Sequence, residues 1–437
     1  MWSPNARDVG GLPTRYGVPT RAGALIRSEC LDAVGPEFEA LGAGLVLDLR
    51  SDWEIRQAHP LDGVATYQRI PWIDPEAEAR RVPEDEPRLV DVYRNSLNRN
   101  AAHIARIFAA IADAPPDQPV VVHCKAGKDR TGLTVALLLD LVGVPRSEIA
   151  ADYAISEVNL GMQDGPEFTR TRPETILASL EHVDTLGGVR SYLESLGLST
   201  AQLHRLATRL LPVDVPAIVF DFDGLLMDTE TTMVESWQAE WAYHGLELDM
   251  TTFWPGHGGD ITEERYAVLA AAVGDRFDRA ESHARRLAHR QRLHDELDFR
   301  PGIRSWIADA RELGLQVAIA SSSARSWVMG HLERVGAVGL FDHIVTGDEV
   351  PTHKPDPAIY ELALRRLGVP WAIAVEDTAH GVAAAQAAGM YAVAVPNPYV
   401  TPAAVAAADL VLGSADQLLL SELLLSAGSK GSTLVTE

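Results

Sequence analysis

The stretch Val120–Leu133 holds the feature that most constrains how the first half of this chain folds. Three β-branched residues, Val120–Val122, predict a buried strand, and a helical pattern follows from about Thr131 to Leu139. A tight turn that contains Gly127 joins the two. Because a strand that enters a helix through such a turn points successive backbone N–H groups at one spot, the turn forms a cradle for an anion. The stretch therefore predicts an α/β fold with an anion-binding loop at the end of a strand.

Cys124 and Arg130 lie at the two ends of this turn, where the fork-shaped guanidinium can hold two phosphate oxygens at once. The same positive surroundings favour the thiolate of Cys124, which is the nucleophilic form of cysteine. A cysteine is more often an inert core residue, and we keep that interpretation for Cys30, but it does not explain why an arginine and a glycine accompany Cys124. We therefore predict that Cys124 and Arg130 are catalytic. The residues predicted to bind the phosphate are Lys125, Ala126, Gly127 and Lys128.

The segment HCKAGKDRTG (123–132) resembles the signature of the cysteine-dependent protein tyrosine phosphatases. With Lys128 and Asp129 inside the loop, it is most similar to the bacterial tyrosine phosphatases that also act on phosphoinositides. Four further segments are similar to that family: NARDVGGLPTRYG (5–17), LIRSECL (25–31), DLRSDWE (48–54) and ADYAISEVNL (151–160). The resemblance implies a tyrosine phosphatase-like α/β domain over residues 1–212 that hydrolyses phosphotyrosine or phosphoinositide monoesters and needs no cofactor.

The resemblance also bears on the group that protonates the leaving oxygen. It favours Asp129, which lies in the loop itself. Asp74, in the segment PWIDP, is the alternative, because related phosphatases carry this acid on a separate loop. The sequence leaves both candidates open.

A second set of polar residues follows the strands of the second half of the chain. The apolar segment Ala217–Phe220 runs into Asp221 and Asp223, and period-two geometry puts both carboxylates on one side. The segment Gln316–Ala320 ends in a run of three serines, and the segment Trp371–Val375 ends in an acidic pair. Because strands alternate with helical patterns here, these ends are expected at one edge of a parallel sheet, where such sheets bind ligands.

The segments DFDGLLMDTE, ASSS, HKPDP and EDTAHGVAAAQAAG together resemble the motifs of the haloacid dehalogenase superfamily of phosphohydrolases. The resemblance implies a Rossmann-like parallel-sheet domain over residues 213–437, with a helical cap inserted at about 229–300. It makes Asp221 the nucleophile and Asp223 the general acid and base. Phosphate would be held by Ser321, Ser322 and Lys354, and Mg²⁺ by Asp221, Asp223, Glu376 and Asp377. Residues 428–437 are expected to form a disordered tail.

Composition limits the possible folds, partners and locations. With 437 residues the chain exceeds what a single hydrophobic core usually supports, so two domains are expected. The net charge of −23 argues against nucleic acid as a partner. No apolar run reaches the ~18 residues of a membrane helix and the N-terminus lacks a signal-peptide core, so we expect a cytoplasmic protein without a transmembrane segment. Four of the 38 basic residues are lysines, and three of these, Lys125, Lys128 and Lys354, fall in the predicted phosphate sites.

We therefore predict a bifunctional phosphatase, with cysteine-dependent monoester hydrolysis in the first domain and Mg²⁺-dependent hydrolysis through an aspartyl phosphate in the second. The expected partners are phosphorylated substrates: small phosphometabolites for the second domain, and phosphoprotein, phosphoinositide or small phosphometabolites for the first. Two alternatives stay open. The second domain could be a phosphomutase, which transfers phosphate between sugar hydroxyls, or one half could be a non-catalytic module that only binds phosphate.

Overall fold

The computed structural model of the chain describes residues 3–31, 36–164, 166, 170–211, 215–253 and 261–434, with side chains given to residue 428. The chain divides into two compact units, Met1–Asp214 together with Ser432–Glu437, and Val215–Gly431. The predicted domain boundary, between residues 212 and 213, lies outside the described residues, and the two units divide after Asp214.

The first unit is built on a five-stranded sheet. Its strands are β1 (Arg7–Asp8), β2 (Leu25–Ser28), β3 (Leu45–Asp48), β4 (Tyr67–Arg69) and β5 (Val120–His123). They lie in the order β1-β2-β5-β3-β4, and neighbours are parallel except for β1 and β2. The buried, β-branched strand β5 is therefore central, and the loop that follows it begins at the carboxyl edge of the sheet.

Nine α-helices lie in the described part of the first unit. They are α1 (Pro36–Glu39), α2 (Pro75–Glu78), α3 (Leu89–Arg99), α4 (Ala101–Asp113), α5 (Arg130–Leu141), α6 (Arg146–Asn159), α7 (Pro173–Asp184), α8 (Gly188–Ser195) and α9 (Thr200–Leu210). Two single 3-10 turns, Asp52–Glu54 and Pro83–Asp85, add to these. Every residue of α5 from Thr131 to Leu139 is buried, as expected for a helix with few polar positions. The loop after β5 is thus anchored between a buried strand and a buried helix.

The second unit is built on a six-stranded sheet in which all neighbouring strands are parallel. Its strands are β6 (Ala217–Phe220), β7 (Gln316–Ser321), β8 (His343–Thr346), β9 (Ile373–Glu376), β10 (Tyr391–Ala394) and β11 (Leu410–Val411), in the order β11-β10-β9-β6-β7-β8. Along β6, Ile218 and Phe220 pack in one core while Ala217 and Val219 pack in another. Burial on both faces explains the unbroken apolar sequence of this strand. The predicted parallel-sheet α/β domain is confirmed.

In the sequence, a helical insertion lies between β6 and the next strand of the sheet, β7. Its helices are α10 (Thr229–Tyr243), α11 (Met250–Phe253), α12 (Thr262–Val273) and α13 (Arg279–Glu296). These helices have a small core of their own, formed by Met233, Val234, Trp237, Phe253, Tyr266 and Leu269. The insertion occupies the range for which we expect a cap, about 229–300, of which residues 254–260 lie outside the described residues.

The remaining helices of the second unit accompany its strands. They are α14 (Ile303–Glu312), α15 (Arg325–Arg334), α16 (Ala358–Leu367), α17 (Ala379–Ala387) and α18 (Leu420–Leu434), of which the part up to Gly431 belongs to this unit. The backbone of α18 continues through most of the stretch 428–437 for which we expected disorder, and residues 435–437 lie outside the described residues. Among the described helices, none has both the length and the apolar composition needed to cross a membrane.

Candidate active sites

In the first unit, the loop between β5 and α5 contains Cys124, of which 1 % is exposed. Gly127 has a φ of +67°, and a Cβ at this position would lie 2.5 Å from the backbone carbonyl carbon of Ser28. A side chain would be strained by the positive φ and would also clash with the end of β2. Gly127 is therefore required by the curvature of the loop, which is the reason for its place in the sequence pattern.

The backbone amides of this loop are available to a ligand. Within the described part of the chain, none of the N–H groups of residues 125–130 donates a hydrogen bond to another protein group. The carbonyls are paired instead: Ala126 O accepts from Asn5 Nδ2 at 2.9 Å, and Gly127 O accepts from Arg27 Nη2 at 2.7 Å. The C=O and N–H of a trans peptide point in opposite directions. The two hydrogen bonds to the carbonyls therefore point the N–H groups of Gly127 and Lys128 to the opposite side of the loop. Such a run of unpaired amides is suited to an anion.

A buried ion-pair network supports the carbonyl side of the loop. The Asp152 carboxylate on α6 accepts from Arg7 Nε at 2.7 Å and from Arg27 Nη1 at 2.5 Å. Burial alone would raise the pKa of Asp152, but the two guanidiniums outweigh it and lower that pKa. The three residues belong to three of the segments that resemble tyrosine phosphatases. Their contacts give those segments a physical role that motif matching alone does not reveal.

Arg130 is fixed by Glu54, a residue that sequence reasoning did not single out. The guanidinium donates from Nη1 to Glu54 Oε2 at 2.5 Å and from Nη2 to Glu54 Oε1 at 2.7 Å, and it also reaches Leu49 O at 3.3 Å. Burial would raise the pKa of Glu54, yet the hydrogen bonds and charge of Arg130 lower it. The motif DLRSDWE contains Glu54, but its distance from Arg130 along the chain hides the pairing.

The two candidates for the general acid have different surroundings. Asp129 lies in the loop, where Oδ1 accepts from Tyr93 Oη and, at 2.7 Å, from Lys128 Nζ. Lys128, which we predicted to bind phosphate, is thus paired with Asp129. Asp74 caps α2 by accepting from two of its amides, at 2.9 and 3.2 Å, and these bonds lower the pKa of Asp74. Asp74 is thus engaged at the start of a helix, whereas Asp129 lies in the loop that contains Cys124, and the choice between the two acids stays a prediction.

A polar cluster adjoins Cys124 in the chain. Atoms of the metal-ligand type on Asp48, His59 and His123 lie within 4.8 Å of one another. Arg50 already donates to Asp48 through Nε and Nη2, at 2.8–3.1 Å, and its Nη1 donates to Cys30 Sγ at 2.7 Å. Burial lowers the pKa of His123 to about 4. The Arg50 guanidinium balances the charge of the Asp48 carboxylate, so the cluster is a neutralised ion pair beside an uncharged His123. Cys30, for which we expected apolar surroundings, accepts a hydrogen bond from Arg50 instead.

In the second unit, the predicted residues converge on one cavity. Strands β9, β6 and β7 are neighbours, so their carboxyl ends meet, and Lys354 follows β8. The cavity has a volume of about 590 Å³. Every residue predicted for this site lines it: Asp221, Asp223, Ser321, Ser322, Lys354, Glu376 and Asp377.

Lys354 joins the candidate nucleophile to the acidic pair. Its Nζ donates to Asp221 Oδ1, to Glu376 Oε1 at 2.6 Å and to Ala320 O at 2.8 Å. Tyr360 Oη donates to the same Glu376 oxygen at 2.5 Å. Burial alone would lower the pKa of Lys354, but the two carboxylates outweigh it and raise that pKa. The ammonium therefore stays charged beside Asp221.

Three carboxylates form a compact oxygen cluster. Oxygens of Asp221, Glu376 and Asp377 lie within 4.8 Å of one another. Two glycines leave room for them: a Cβ at Gly224 would lie 2.2 Å from Asp377 Oδ2, and a Cβ at Gly381 would lie 1.9 Å from Glu376 Oε2. Both glycines fall within the segments that resemble the haloacid dehalogenase motifs. The motifs therefore specify the space around the carboxylates as well as the carboxylates themselves.

The lining of the cavity carries excess negative charge. It includes five carboxylates, Asp221, Asp223, Glu230, Glu376 and Asp377, against the cations Lys354 and Arg290. Burial, followed by the neighbouring carboxylates, raises the pKa of Asp377, and burial together with Glu376 raises that of Asp221 in spite of Lys354. A divalent cation would relieve this repulsion. Because the donors are all carboxylate oxygens, the set fits Mg²⁺.

Asp223 has a hydrogen-bond environment of its own. Its Oδ1 accepts from Trp327 Nε1 at 2.8 Å and from Thr229 Oγ1 at 2.9 Å, and its Oδ2 accepts from Ser323 Oγ at 2.6 Å. Among the described residues, the oxygen cluster contains the other three predicted metal ligands, Asp221, Glu376 and Asp377, but not Asp223. A contact between Asp223 and the metal therefore stays a prediction. Ser323 belongs to the serine run noted in the sequence, whereas Thr229 and Trp327 gave no such signal.

The helical insertion contributes a cation to the same cavity. Arg290 on α13 lines it, with its guanidinium carbon 5.1 Å from the centre of the Trp327 ring. The buried Nε of Arg290 has no hydrogen-bond partner in the described part of the chain. In the sequence, Arg290 is one of several arginines in a strongly basic helix, so only its placement distinguishes it.

Both halves of the chain match known families. The model of the tyrosine phosphatase family matches residues 3–212, and the model of the haloacid dehalogenase-like hydrolases matches residues 218–395.

Three relatives illustrate the likeness. The protein YhcW of Bacillus subtilis is 37 % identical over 186 residues, which are 42 % of this chain and 84 % of its own length. A tyrosine-protein phosphatase of Nostoc commune is 33 % identical over 208 residues, 41 % of this chain and 70 % of its own. A phosphorylated carbohydrates phosphatase of Thermotoga maritima is 32 % identical over 182 residues, 40 % of this chain and 82 % of its own.

The chain is a phosphoric monoester hydrolase with two phosphatase-type domains. It thus belongs to the tyrosine phosphatase family through its first unit and to the haloacid dehalogenase-like hydrolases through its second.

Proposed function

We propose that the first unit hydrolyses phosphomonoesters through Cys124. The observation that supports this most strongly is the run of unpaired amides at residues 125–130, next to a guanidinium held by Glu54. These fixed donors would bind the phosphoryl oxygens and stabilise their charge in the transition state. Cys124 Sγ attacks phosphorus, the P–O ester bond breaks, and the leaving oxygen takes a proton from Asp129. Water then cleaves the phosphocysteine, with its proton returning to Asp129, and releases inorganic phosphate.

The second unit, in the same proposal, hydrolyses phosphomonoesters through Asp221 with bound Mg²⁺. The ion would be held by Asp221, Glu376 and Asp377, and it supplies the positive charge that lets a carboxylate approach a dianionic phosphate. The geometry of the cluster supports this assignment, because oxygens of the three carboxylates lie within 4.8 Å of one another. Burial, with a further contribution from neighbouring carboxylates, raises the pKa values of Asp221 and Asp377, as expected for carboxylates crowded together.

The residues around Asp221 support a two-step reaction. Asp221 attacks phosphorus and the P–O ester bond breaks, while Lys354 and the hydroxyl of Ser321 bind the phosphoryl oxygens. Asp223, oriented by Trp327 and by neighbouring hydroxyl groups, gives a proton to the leaving oxygen. In the second step Asp223 takes a proton from the water that cleaves the aspartyl phosphate, which restores both carboxyl groups.

We propose small phosphorylated carbohydrates as the substrates of the second unit. The relative from Thermotoga maritima is named for phosphorylated carbohydrates. A cavity of about 590 Å³ also suits a small metabolite better than a protein segment. With a hexose phosphate as substrate, release of inorganic phosphate supports hydrolysis, whereas a rearranged hexose phosphate would identify a phosphomutase.

Turnover of p-nitrophenyl phosphate by the full chain tests both assignments. Asp221→Asn should keep an activity that peroxide abolishes, because peroxide oxidises a thiolate, and that a chelator leaves unchanged. Cys124→Ser should keep an activity with the opposite response, abolished by the chelator and unaffected by peroxide. The double variant should be inactive. Activity in the double variant, or loss of all activity in either single variant, would overturn the proposal of two independent centres.

A further inference from the structure

The two oxygens of the Asp223 carboxylate in the second unit have different partners. Oδ1 accepts from Trp327 Nε1 at 2.8 Å and from Thr229 Oγ1 at 2.9 Å. Oδ2 faces the serine run, 2.6 Å from Ser323 Oγ and 3.5 Å from Ser321 Oγ. Because Ser321 is also one of the groups proposed to bind the phosphoryl oxygens, Oδ2 is the oxygen on the side of the reacting phosphate.

The donors to Oδ1 exclude a proton from that oxygen. An indole N–H donates hydrogen bonds and cannot accept them. The Thr229 hydroxyl accepts from Gly224 N at 3.2 Å, so its own hydrogen is the one that reaches Oδ1. A serine hydroxyl, by contrast, can either donate or accept. A protonated Asp223 therefore keeps both donors on Oδ1 only if its hydrogen lies on Oδ2.

The indole of Trp327 is held in one orientation by its neighbours. Trp327 lies in the first turn of α15, which begins two residues after the serine run. The imidazoles of His294 and His331 pack edge-on to the indole, with ring centroids 5.2 and 4.5 Å away. The guanidinium carbon of Arg290 lies 5.1 Å from the ring centre. Packed against three side chains, the ring keeps its N–H directed at Asp223 while the carboxyl gains and loses its proton.

We propose that Trp327 is a positioning residue that anchors Oδ1 of Asp223, so that Oδ2 is the oxygen that exchanges the proton. The inference rests on the proposed function of the second unit and adds a residue to its machinery. In the first step the Oδ2–H bond breaks as the leaving oxygen takes the proton and the P–O ester bond breaks. In the second step Oδ2 takes a proton from the water that cleaves the aspartyl phosphate.

The loss of the indole N–H would act on the orientation of the acid. The last torsion of an aspartate side chain has a broad energy minimum, so the carboxyl turns easily when one of its anchors is removed. Fewer of its orientations then present the Oδ2 hydrogen to the leaving oxygen. The binding of the phosphoryl group itself depends on other residues, Ser321 and Lys354 among them, and should not change.

Two aryl phosphates with different leaving groups test the proposal, because a poor leaving group depends most on its proton. Turnover of p-nitrophenyl phosphate and of phenyl phosphate is measured with the full-length Cys124→Ser chain and Mg²⁺. Trp327→Phe should lower kcat/KM about tenfold more for phenyl phosphate, which has the poorer leaving group, as loss of one hydrogen bond to a charged group would give. The inhibition constant of inorganic phosphate should stay within about twofold.

Trp306→Phe is the matched control. Trp306 is a buried tryptophan whose Nε1 donates to Leu418 O at 2.8 Å, and it is not among the described residues that line the cavity. The substitution therefore removes the same ring and the same kind of hydrogen bond away from the site. It should leave the ratio of kcat/KM for the two phosphates unchanged.

Phenylalanine also removes ring volume, so a second variant isolates the N–H and preserves the packing. Benzothienylalanine in place of Trp327 has the shape of tryptophan with sulfur instead of the N–H, and it should change the ratio in the same direction. Equal losses for the two substrates, or an unchanged ratio in both variants, would overturn the role of Trp327 while turnover that depends on Asp221 continues. Absence of any turnover that Asp221→Asn abolishes would overturn the proposed function of the second unit itself.

Discussion

Glu54 and Arg130 form a two-pronged ion pair, with Oε2 2.5 Å from Nη1 and Oε1 2.7 Å from Nη2. The pair joins a short 3-10 turn to the first residue of α5 across 76 positions of sequence. Both side chains of the pair are largely buried, at 15 % and 16 % exposure, so water screens it only partly. It holds the guanidinium beside Cys124 in one orientation before any phosphate arrives.

Glu54→Gln should lower kcat/KM of the first unit about tenfold to a hundredfold, because the neutral amide holds the Arg130 guanidinium less firmly. The measurement is aryl phosphate turnover in the Asp221→Asn chain. Glu84→Gln is the matched control, since Glu84 is exposed and also lies in a 3-10 turn. An unchanged kcat/KM for Glu54→Gln would show that Arg130 does not depend on this pair.

Asp129→Asn and Asp74→Asn should separate the two candidate acids. An alkyl leaving group needs protonation far more than an aryl one, so loss of the acid lowers turnover of alkyl phosphates more than of aryl phosphates. We expect this pattern for Asp129→Asn, and a change within about twofold for Asp74→Asn, whose carboxylate is engaged by the amides of α2. The reverse pattern would assign the role to Asp74.

Local patterns in the sequence were sufficient to locate both candidate sites on the sheets. The valines before Cys124 and the apolar run before Asp221 marked buried central strands, and the polar residues after them had to lie at a carboxyl edge. This reasoning succeeds because it depends on residues that are close in sequence.

The partners of the predicted residues could not be found in the same way. Glu54 reaches Arg130 from 76 positions away, and Trp327 reaches Asp223 from 104 positions away. Such contacts depend on how helices and loops pack, which a single sequence does not reveal. Arg290 is equally unmarked, because its helix contains several arginines and only the fold directs one of them into the cavity.

Asp152→Asn should destabilise the first unit, because Arg7 and Arg27 would lose their buried counter-charge. At pH 7 we expect the free energy of unfolding to fall by about 3 kcal/mol. The folded state lowers the pKa of Asp152, so its stabilising effect is complete above the unfolded value of ~3.9 and is lost as the pH falls through the folded value.

Urea unfolding at pH 7 and at acidic pH measures this effect. The stability gap between the original chain and Asp152→Asn should narrow below about pH 4. Glu148→Gln, on the same helix, should leave the stability within about 0.5 kcal/mol at both pH values. A gap that stays constant with pH would contradict the assignment of a lowered pKa.

Gly381→Ala should disrupt the oxygen cluster of the second unit, because the added Cβ would lie 1.9 Å from the Glu376 carboxylate. We expect the Mg²⁺ concentration for half-maximal activity to rise at least about tenfold, as for loss of an orienting contact. Gly330→Ala is the control, a helical glycine with open space around it. The measurement is a Mg²⁺ titration of the Cys124→Ser chain, and an unchanged midpoint for Gly381→Ala would argue against Glu376 as a ligand.

The most direct test of two covalent phosphatases in one chain is the mass spectrum of the phosphoenzyme trapped during turnover. Rapid acid quenching followed by peptide mapping should find one phosphoryl group on Cys124 and another on Asp221. Cys124→Ser should lose the first alone, and Asp221→Asn the second alone. A chain that turns over substrate with neither residue phosphorylated, or with both modifications lost in one single variant, would contradict the account.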